Sequence, residues 1–405
     1  MPAICNPNKE KPWTNAMPDT AFTTRWQRAQ ACISHGVAAI DTPSLVIDLD
    51  AMDRNLARMA AFASEHGLRL RPHAKMHKSA ELAQLQMAHG AVGVCVQKID
   101  EALALAHAGV RNIYISNEVI AAPKLLRLAQ AVRDLSTVFS IAVDSALGVT
   151  RLAQALQAAG VDAPASLDVL VEIDVGQGRC GVAPGAAAVA LVQAITTVPT
   201  LRFAGLQAYH GGAQHRRTAA GRAEAMAEAT RAVRTTCDAL QAAGFPVPLV
   251  TGAGTGTFSL EASSGVWGEL QAGSYLFMDA DYASNEVTPL APVFEHALFV
   301  KSEVMSLNDA HAVCDAGHKS HAIDSGMPTV WFPPGLNYSS GGDEHGVLRA
   351  GGGAPLPVLG EVVWLVPGHC DPTVNLHDFM VGVRGGLAAG QVERLVRVDA
   401  RGCLG

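Results

Sequence analysis

Leu68-Arg69-Leu70-Arg71-Pro72-His73-Ala74-Lys75 is typical of a β-strand that ends in a lysine, and a helical pattern from Ser79 to Ala88 follows it. A lysine at the carboxyl end of a strand in such a unit points into the mouth of an α/β barrel. We expect burial there to lower the pKa of Lys75, and a free amine can form a Schiff base with an aldehyde. Most lysines at strand ends are only solvated or salt-bridged, so the rest of the chain decides what Lys75 does.

Strands and helices alternate outward from this stretch. Their order predicts a parallel sheet with helices outside, and the number of strands favours a closed (β/α)8 TIM-type barrel over residues 51–285 rather than an open sheet. An earlier strand, 44–49, precedes a helix, 51–66, that Asp50 is expected to cap. The predicted barrel strands are 68–74, 92–97, 112–116, 138–144, 167–174, 203–209, 249–252 and 269–277, and the predicted helices between them are 77–89, 99–109, 122–133, 145–159, 184–196 and 217–243.

The pattern changes near residue 289, where helical periodicity gives way to short strands between Gly, Pro and Asn turns. This predicts a second, all-β domain built from residues 41–50 and 286–405, with residues 1–40 as an N-terminal arm. The predicted strands of this domain are 297–305, 310–315, 361–366, 379–384 and 392–398.

Composition narrows the class of protein. The 405 residues are 49% hydrophobic and 17% charged, with a formal net charge of −7, which disfavours a nucleic-acid or anionic-membrane surface. Eight scattered cysteines without CxxC pairs indicate reduced thiols. We see no secretory signal and no membrane-spanning run, so we expect a cytoplasmic protein.

Polar and aromatic side chains follow the predicted strands of the barrel, where a barrel enzyme collects its functional groups. Arg179 stands on a turn held by three glycines, and a fixed charge there could tune a bound cofactor. Near the predicted mouth are also several histidines, of which His215 is the best candidate for a base. The other residues at strand ends include Lys75, Gln97, Asp144, Tyr209, His210 and Tyr275.

A glycine-rich loop, Thr251-Gly252-Ala253-Gly254-Thr255-Gly256-Thr257, follows the seventh predicted strand. Backbone N–H groups and threonine hydroxyls in such a loop can bind a phosphate, and barrels favour phosphate sites after their seventh and eighth strands. A phosphate site together with a lysine at the rim predicts pyridoxal 5'-phosphate (PLP) as cofactor, attached through Lys75.

A candidate metal segment, Pro367-Gly368-His369-Cys370-Asp371, lies in the β domain. In an extended segment His369 and Asp371 point the same way and Cys370 points to the opposite side, so the first two can share one cation. One imidazole and one carboxylate favour Mn²⁺, Mg²⁺ or Ca²⁺ over a thiolate-type zinc site.

Taken together, these motifs resemble those of the D-threonine aldolase family, which belongs to the alanine racemase-like, fold type III PLP enzymes. The resemblance runs from about Asp41 to Arg401. The related 3-hydroxy-D-aspartate aldolases share the cysteine of the metal segment, so substrate preference stays open. The motifs that carry the resemblance are Arg71–Lys75, Val96–Lys98, Ile115–Val119, Val175–Val182, Gln207–Gly211, Thr251–Thr257, Gln271–Tyr275, Asp343–Val347 and the His369/Asp371 segment.

The resemblance implies a homodimer that cleaves a D-β-hydroxy-α-amino acid into glycine and an aldehyde with the help of a divalent metal ion. Lys75 would hold PLP, His215 would be the base, and His369 and Asp371 would bind the metal. The implied cofactor contacts are Gln97, Arg179 and Tyr209 beside the ring, and Thr251, Gly252, Gly254, Thr255, Gly256 and Tyr275 around the phosphate.

Four alternatives remain at this point. A D-serine dehydratase-type elimination is the nearest, although such enzymes pair the histidine with a cysteine where this chain has Asp371. Racemisation is less favoured, because it needs no cation. A non-catalytic PLP-binding protein is disfavoured, because it needs no β domain. A metal-dependent barrel hydrolase without PLP is the remaining class.

Overall fold

The alternating pattern folds into a closed ring of eight parallel strands. The computed structural model describes residues 20–163, 167–288 and 291–405. Each strand pairs with the next along the chain, and the eighth pairs with the first. The ring closes between the first two strands because Cys95 N donates to Pro72 O and Ala74 N donates to Cys95 O. The strands are Arg69–Leu70, Val94–Val96, Asn112–Ile115, Val138–Val143, Leu167–Glu172, Leu201–Ala208, Val250–Gly252 and Glu269–Leu270.

Helices cover the outside of this barrel. Buried Val, Ile, Leu and Ala side chains between the helices and the strands form one large core, which explains the apolar strands of the sequence. The helices are Leu49–Glu65 before the first strand, then Ala80–Ala88, Ile99–His107, Ala122–Asp134, Ala146–Ala158, Ala186–Thr196, Ala219–Ala242, Phe258–Ser264 and Ala280–Ala283.

Three local predictions are corrected. Asp48, not Asp50, caps the first of these helices, because its carboxylate accepts from the backbone N–H groups of Asp50 and Ala51. The eighth strand ends at Leu270 instead of residue 277, since the chain turns into a 3₁₀ helix at Ser274–Leu276. The short helix Phe258–Ser264 was not predicted.

The interior of the barrel contains a network of buried polar groups. The Glu269 carboxylate accepts from Arg71 Nε at 3.0 Å and from Thr251 Oγ1 at 2.9 Å. Gln271 Nε2 donates to Thr251 Oγ1 and to Gln207 Oε1, both at 2.8 Å. These bonds satisfy polar groups whose burial without partners would destabilise the fold. They also hold in place the layer of side chains beneath the carboxyl ends of the strands.

The second sheet has nine strands and forms the β domain. The chain contributes Ser44–Asp48 to this sheet before entering the barrel, pairing it antiparallel to Leu298–Leu307 and parallel to Phe379–Arg384. The remaining strands are Ala312–Cys314, Thr329–Phe332, Leu336–Ser340, Gly346–Ala350, Val362–Val366 and Gln391–Arg397. The three between residues 329 and 350 were not predicted, because many of their side chains are exposed and glycines interrupt their hydrophobic pattern.

The described part of the predicted N-terminal arm packs on the β domain. It contains the helix Thr20–Gln30 and a 3₁₀ turn, Val37–Ala39, and Trp26 packs edge-on against Phe379 with ring centroids 5.4 Å apart. Residues 1–19 of that arm lie outside the described residues. No helix in the described ranges is both long and apolar enough to cross a bilayer, and the seven cysteines there are free thiols.

Candidate active site

A cavity of about 340 Å³ opens at the carboxyl ends of the barrel strands, within the range of small-molecule sites. Its wall comes from both domains, because the metal segment of the β domain lies over the barrel mouth. Nine residues predicted from the sequence line it: Lys75, Gln97, Arg179, Tyr209, His215, Gly254, Thr255, His369 and Asp371.

Lys75 connects the two halves of this cavity. Its Nζ lies 3.6 Å from Asp371 Oδ2, and 39% of its side chain is accessible from the cavity. The expectation of a lowered pKa is wrong. Burial does lower the pKa of Lys75, but the Asp371 carboxylate and Tyr209 outweigh it, so the net shift is upward.

A buried histidine stands two residues before Lys75. The Nε2 atom of His73 lies 2.9 Å from Gln97 Nε2 and 3.2 Å from Ser116 Oγ. Burial holds the pKa of His73 well below its usual value, so the ring is neutral and Nε2 accepts from the Gln97 amide. These contacts position Gln97 at the edge of the cavity.

Arg179 and Tyr209 form a second wall. The guanidinium carbon of Arg179 lies 5.6 Å from the centroid of the Tyr209 ring, a cation–π distance. The turn that carries Arg179 is held by Asp174, whose Oδ1 accepts from the N–H groups of Gly176 and Gly178. Burial raises the pKa of the Tyr209 phenol, although the charges of Lys75 and Arg179 oppose the rise.

The glycine-rich loop is shaped by Gln214, a residue that the sequence did not single out. Gln214 Oε1 accepts from Gly256 N at 2.9 Å, and its Nε2 donates to Thr257 Oγ1 at 2.7 Å. A Cβ on Gly254 would lie 2.4 Å from Gln214 Oε1, so a side chain there would displace the Gln214 amide. Gly254 and Thr255 face the cavity, and in the described residues their N–H groups have no backbone or side-chain acceptor. This loop fits a phosphate, and with Lys75 it fits PLP.

Four predicted phosphate contacts do not reach the cavity. The hydroxyl of Thr251 is buried in the network with Glu269 and Gln271. The Tyr275 hydroxyl accepts from Gln86 Nε2 at 3.2 Å, and its ring is buried; its backbone N–H instead donates to Thr255 Oγ1 at 3.0 Å. Gly252 and Gly256 do not line the cavity, because they pack against Ala208 and Gln214.

His215 reaches the cavity as part of a pair with Asp281. Its Nδ1 lies 2.6 Å from Asp281 Oδ2, and the Asp281 side chain is only 5% exposed. Because a carboxylate only accepts hydrogen bonds, Nδ1 carries a proton, and in the neutral ring the free lone pair is therefore on Nε2. Arg217 also binds Asp281 and stabilises its charge. The geometry suits a base with a fixed tautomer.

Two other histidines near the mouth, His77 and His210, pack within the protein and do not line the cavity. His77 is fully buried between Gln86 and the backbone of Ser79, and burial lowers its pKa to about 4. His210 caps the turn that contains Ala213.

The metal segment is not the extended chain that the sequence suggested. His369 is the N-cap of a short helix, Cys370–Val374, and Asp371 lies in its first turn. His369 Nε2 still lies 3.8 Å from Asp371 Oδ1, while Cys370 is buried on the other side, with its thiol near Met278 O. Burial lowers the pKa of His369, but the Asp371 and Asp324 carboxylates outweigh it and raise the pKa.

These two side chains fit a hard divalent cation. Asp371 Oδ1 is buried and forms no hydrogen bond within the described chain, so it presents an unused acceptor beside the imidazole. Across the described ranges no group of three or more His, Cys, Asp or Glu side chains converges as a metal site. An ion held by two protein ligands would keep several waters, as Mg²⁺ and similar ions do.

The segment Asp279–Asp281, which follows the eighth strand in sequence, attaches the metal segment to the barrel. Ala280 N donates to Pro367 O, Asp281 N donates to Gly368 O, and Asp279 Oδ2 accepts from Cys370 N at 3.0 Å. Burial raises the pKa of Asp279 to about 6. Asp281 therefore holds the candidate base through its side chain and the metal segment through its backbone.

Comparisons with known proteins cover nearly the whole chain. The alanine racemase N-terminal domain matches residues 47–281, and a putative serine dehydratase domain matches residues 297–383. A D-threonine aldolase from Arthrobacter sp. is 47% identical over 368 residues, which cover 90% of this chain and 94% of that protein. A 3-hydroxy-D-aspartate aldolase from Paracoccus denitrificans (strain Pd 1222) is 41% identical over 369 residues, which cover 90% and 92%.

A solved structure agrees with these matches. The crystal structure of a D-threonine aldolase from Filomicrobium marinum is 47% identical in sequence and has a TM-score of 0.88. The similarity covers 92% of this chain and 99% of that one, so the barrel and the β domain both correspond.

Proposed function

Because the chain belongs to the D-threonine aldolase family of alanine racemase-like enzymes, we propose that it cleaves D-β-hydroxy-α-amino acids such as D-threonine into glycine and an aldehyde. One observation supports this best. Lys75 Nζ lies 3.6 Å from Asp371 Oδ2, so a covalent anchor for PLP and a ligand for a divalent cation meet in one cavity.

The two bound groups would supply different chemistry. Lys75 and the Gly254–Thr255 loop would hold PLP, which would withdraw electrons from the substrate Cα and so stabilise the charge left there when the Cα–Cβ bond breaks. His369 and Asp371 would hold a divalent cation, which would act as a Lewis acid and lower the pKa of the β-hydroxyl.

The chain's own residues then handle the proton. His215 Nε2 accepts the proton of the β-hydroxyl, and the oxygen electrons become the carbonyl bond of the aldehyde as the Cα–Cβ pair moves onto Cα. Asp281 stabilises the imidazolium that results, since its carboxylate already holds Nδ1 at 2.6 Å. Cα then takes up a proton from solvent and the product leaves as glycine, while His215 returns its proton to solvent, so atoms and charge balance.

A second candidate substrate is 3-hydroxy-D-aspartate, which would give glycine and glyoxylate. Arg179 lines the same cavity and carries a positive charge that can pair with a second substrate carboxylate. Dehydration is disfavoured, because Asp371 stands where the resemblance places a cysteine in the dehydratases.

The test is an assay of the metal-supplemented holoenzyme with D-threonine and with D-3-hydroxyaspartate, measuring glycine and aldehyde release. Glycine in equal amount to aldehyde supports the proposal, and the ratio of kcat/KM values decides between the substrates. Release of ammonia with a keto acid would instead identify a dehydratase. We further expect Mn²⁺, Mg²⁺ or Ca²⁺ as the ion, a homodimer and a cytoplasmic location.

A further inference from the structure

We propose that Asp324 is a positioning residue that fixes the tautomer and orientation of His369, so that the imidazole presents Nε2 to a divalent cation. The inference rests on the proposed function, since it concerns the cation that His369 and Asp371 would share. It adds a residue that no sequence motif marks.

The contact itself is short and directional. Asp324 Oδ2 lies 2.7 Å from His369 Nδ1. Ser325 Oγ donates to the same carboxylate oxygen at 3.1 Å and lies 3.3 Å from the same ring nitrogen. Because the carboxylate accepts, Nδ1 must donate, and the lone pair of a neutral ring remains on Nε2. That nitrogen faces Asp371 Oδ1 at 3.8 Å.

The loop that carries Asp324 is held against the metal segment from several directions. Ala322 N donates to Thr373 Oγ1 at 3.1 Å, and the Thr373 hydroxyl donates to His369 O at 2.7 Å. His377 Nε2 donates to Ser320 O at 2.8 Å. A Cβ on Gly368 would lie 2.3 Å from Gly326 O, so only glycine allows this approach. The contact is therefore built into the packing of the domain.

A plain salt bridge is the alternative. The Asp324 side chain is 50% exposed and that of His369 is 24% exposed, and such pairs often contribute little. The two roles predict opposite results for cation binding. An orienting carboxylate favours the cation, whereas a carboxylate that only stabilises a doubly protonated imidazole competes with it.

The experiment titrates Mn²⁺ into PLP-loaded protein that a chelator has stripped of metal, following free Mn²⁺ by electron paramagnetic resonance. We expect Asp324→Ala to weaken Mn²⁺ binding by about 10- to 100-fold, as for other groups that orient a metal-bound histidine. Asp324→Asn should weaken it less, because the amide oxygen can still accept from Nδ1. Ser325→Ala should have a smaller effect, and Asp309→Asn, in an exposed turn, is the charge-matched control.

A dissociation constant for Asp324→Ala within twofold of the wild type, or tighter, overturns the inference. Thermal melting and the absorbance of lysine-bound PLP must stay unchanged, and if the alanine variant fails to fold, the Asn and Ser325→Ala variants decide. Wild-type protein that binds Mn²⁺ no better than His369→Ala sinks the cation part of the proposed function, and the inference with it. Mn²⁺ binding that is strong in the wild type and indifferent to Asp324 sinks the inference alone.

Discussion

The barrel rim and the β domain both line the cavity, but they position their side chains differently. Rim residues such as Lys75 and Gln97 follow parallel strands, so the register of the sheet places them together. His369 and Asp371 lie on a short helix whose place depends on hydrogen bonds from Asp279, Ala280 and Asp281. The register of the sheet brings Lys75 and Gln97 together, whereas the metal segment is placed by hydrogen bonds from the chain after the eighth strand. A change in one half should therefore remove the function of that half and leave the other half intact.

The largest effect should come from the rim. Lys75→Ala should abolish both glycine release and the absorbance of lysine-bound PLP, because it removes the only covalent anchor in the proposal. Lys124→Ala, on the helix Ala122–Asp134, is the control and should change neither. Wild-type absorbance in Lys75→Ala would place the anchor elsewhere.

Changing the β-domain half of the site should separate the role of the metal ion from that of PLP. We expect Asp371→Asn, or chelation of the wild type, to remove most activity while PLP absorbance persists, because Asp371 supplies the unused buried oxygen. Added Mn²⁺ should restore the chelated wild type but not the variant, and Asp309→Asn should behave as wild type. Full activity after chelation contradicts the proposed role of the ion.

Substitutions of His215 and Asp281 test whether this pair acts as the base between the rim and the metal segment. His215→Ala should lower kcat by about 10² to 10⁴-fold, the usual contribution of a general base, with PLP absorbance and Mn²⁺ binding retained. Asp281→Asn should lower kcat less and alter its pH profile, because an amide can stabilise the wrong tautomer of the ring. An unchanged pH profile in Asp281→Asn argues against the pair.

A smaller effect is expected where the loop that carries Asp324 contacts the metal segment. Gly368→Ala would place a Cβ 2.3 Å from Gly326 O, so backbone must shift. We expect about 1–3 kcal/mol lower stability and weaker Mn²⁺ binding, with the rim and its PLP absorbance intact. Gly36→Ala, in the arm that packs on the β domain, is the control, since its Cβ would meet nothing closer than 4.0 Å.

The last change affects stability beneath the phosphate loop and is not expected to remove either cofactor. Burial raises the pKa of Glu261 to about 7 from 4.5. The folded state thus binds more protons between these pH values, so its stability should fall as the pH rises from 4.5 to 7. Glu261→Gln should flatten this dependence and be more stable than wild type by up to about 3 kcal/mol above pH 7, measured by denaturant unfolding. The exposed Glu224→Gln should leave the dependence unchanged.

The sequence predicted much of the rim but little of what supports it. Helices such as 122–133 and strands such as 138–144 were found within a residue or two, because both-face burial and helical periodicity leave local patterns. The burial of the Thr251 and Tyr275 hydroxyls away from the cavity could not be predicted, since a strand pattern does not say whether a side chain turns into the barrel or toward its mouth. Gln214, Asp281 and Asp324 were missed because each acts on a residue far from it in sequence.

By itself, the sequence determined the barrel, the all-β domain and the residue types that point to PLP and a cation, because periodicity, glycine placement and motif order are local properties of the chain. Only the tertiary structure decided that Asp371 lies beside Lys75, raising rather than lowering the pKa of the lysine. The reason is that a charge acts through space. The two residues are 296 positions apart in the sequence, and no local pattern reports that they lie 3.6 Å from each other.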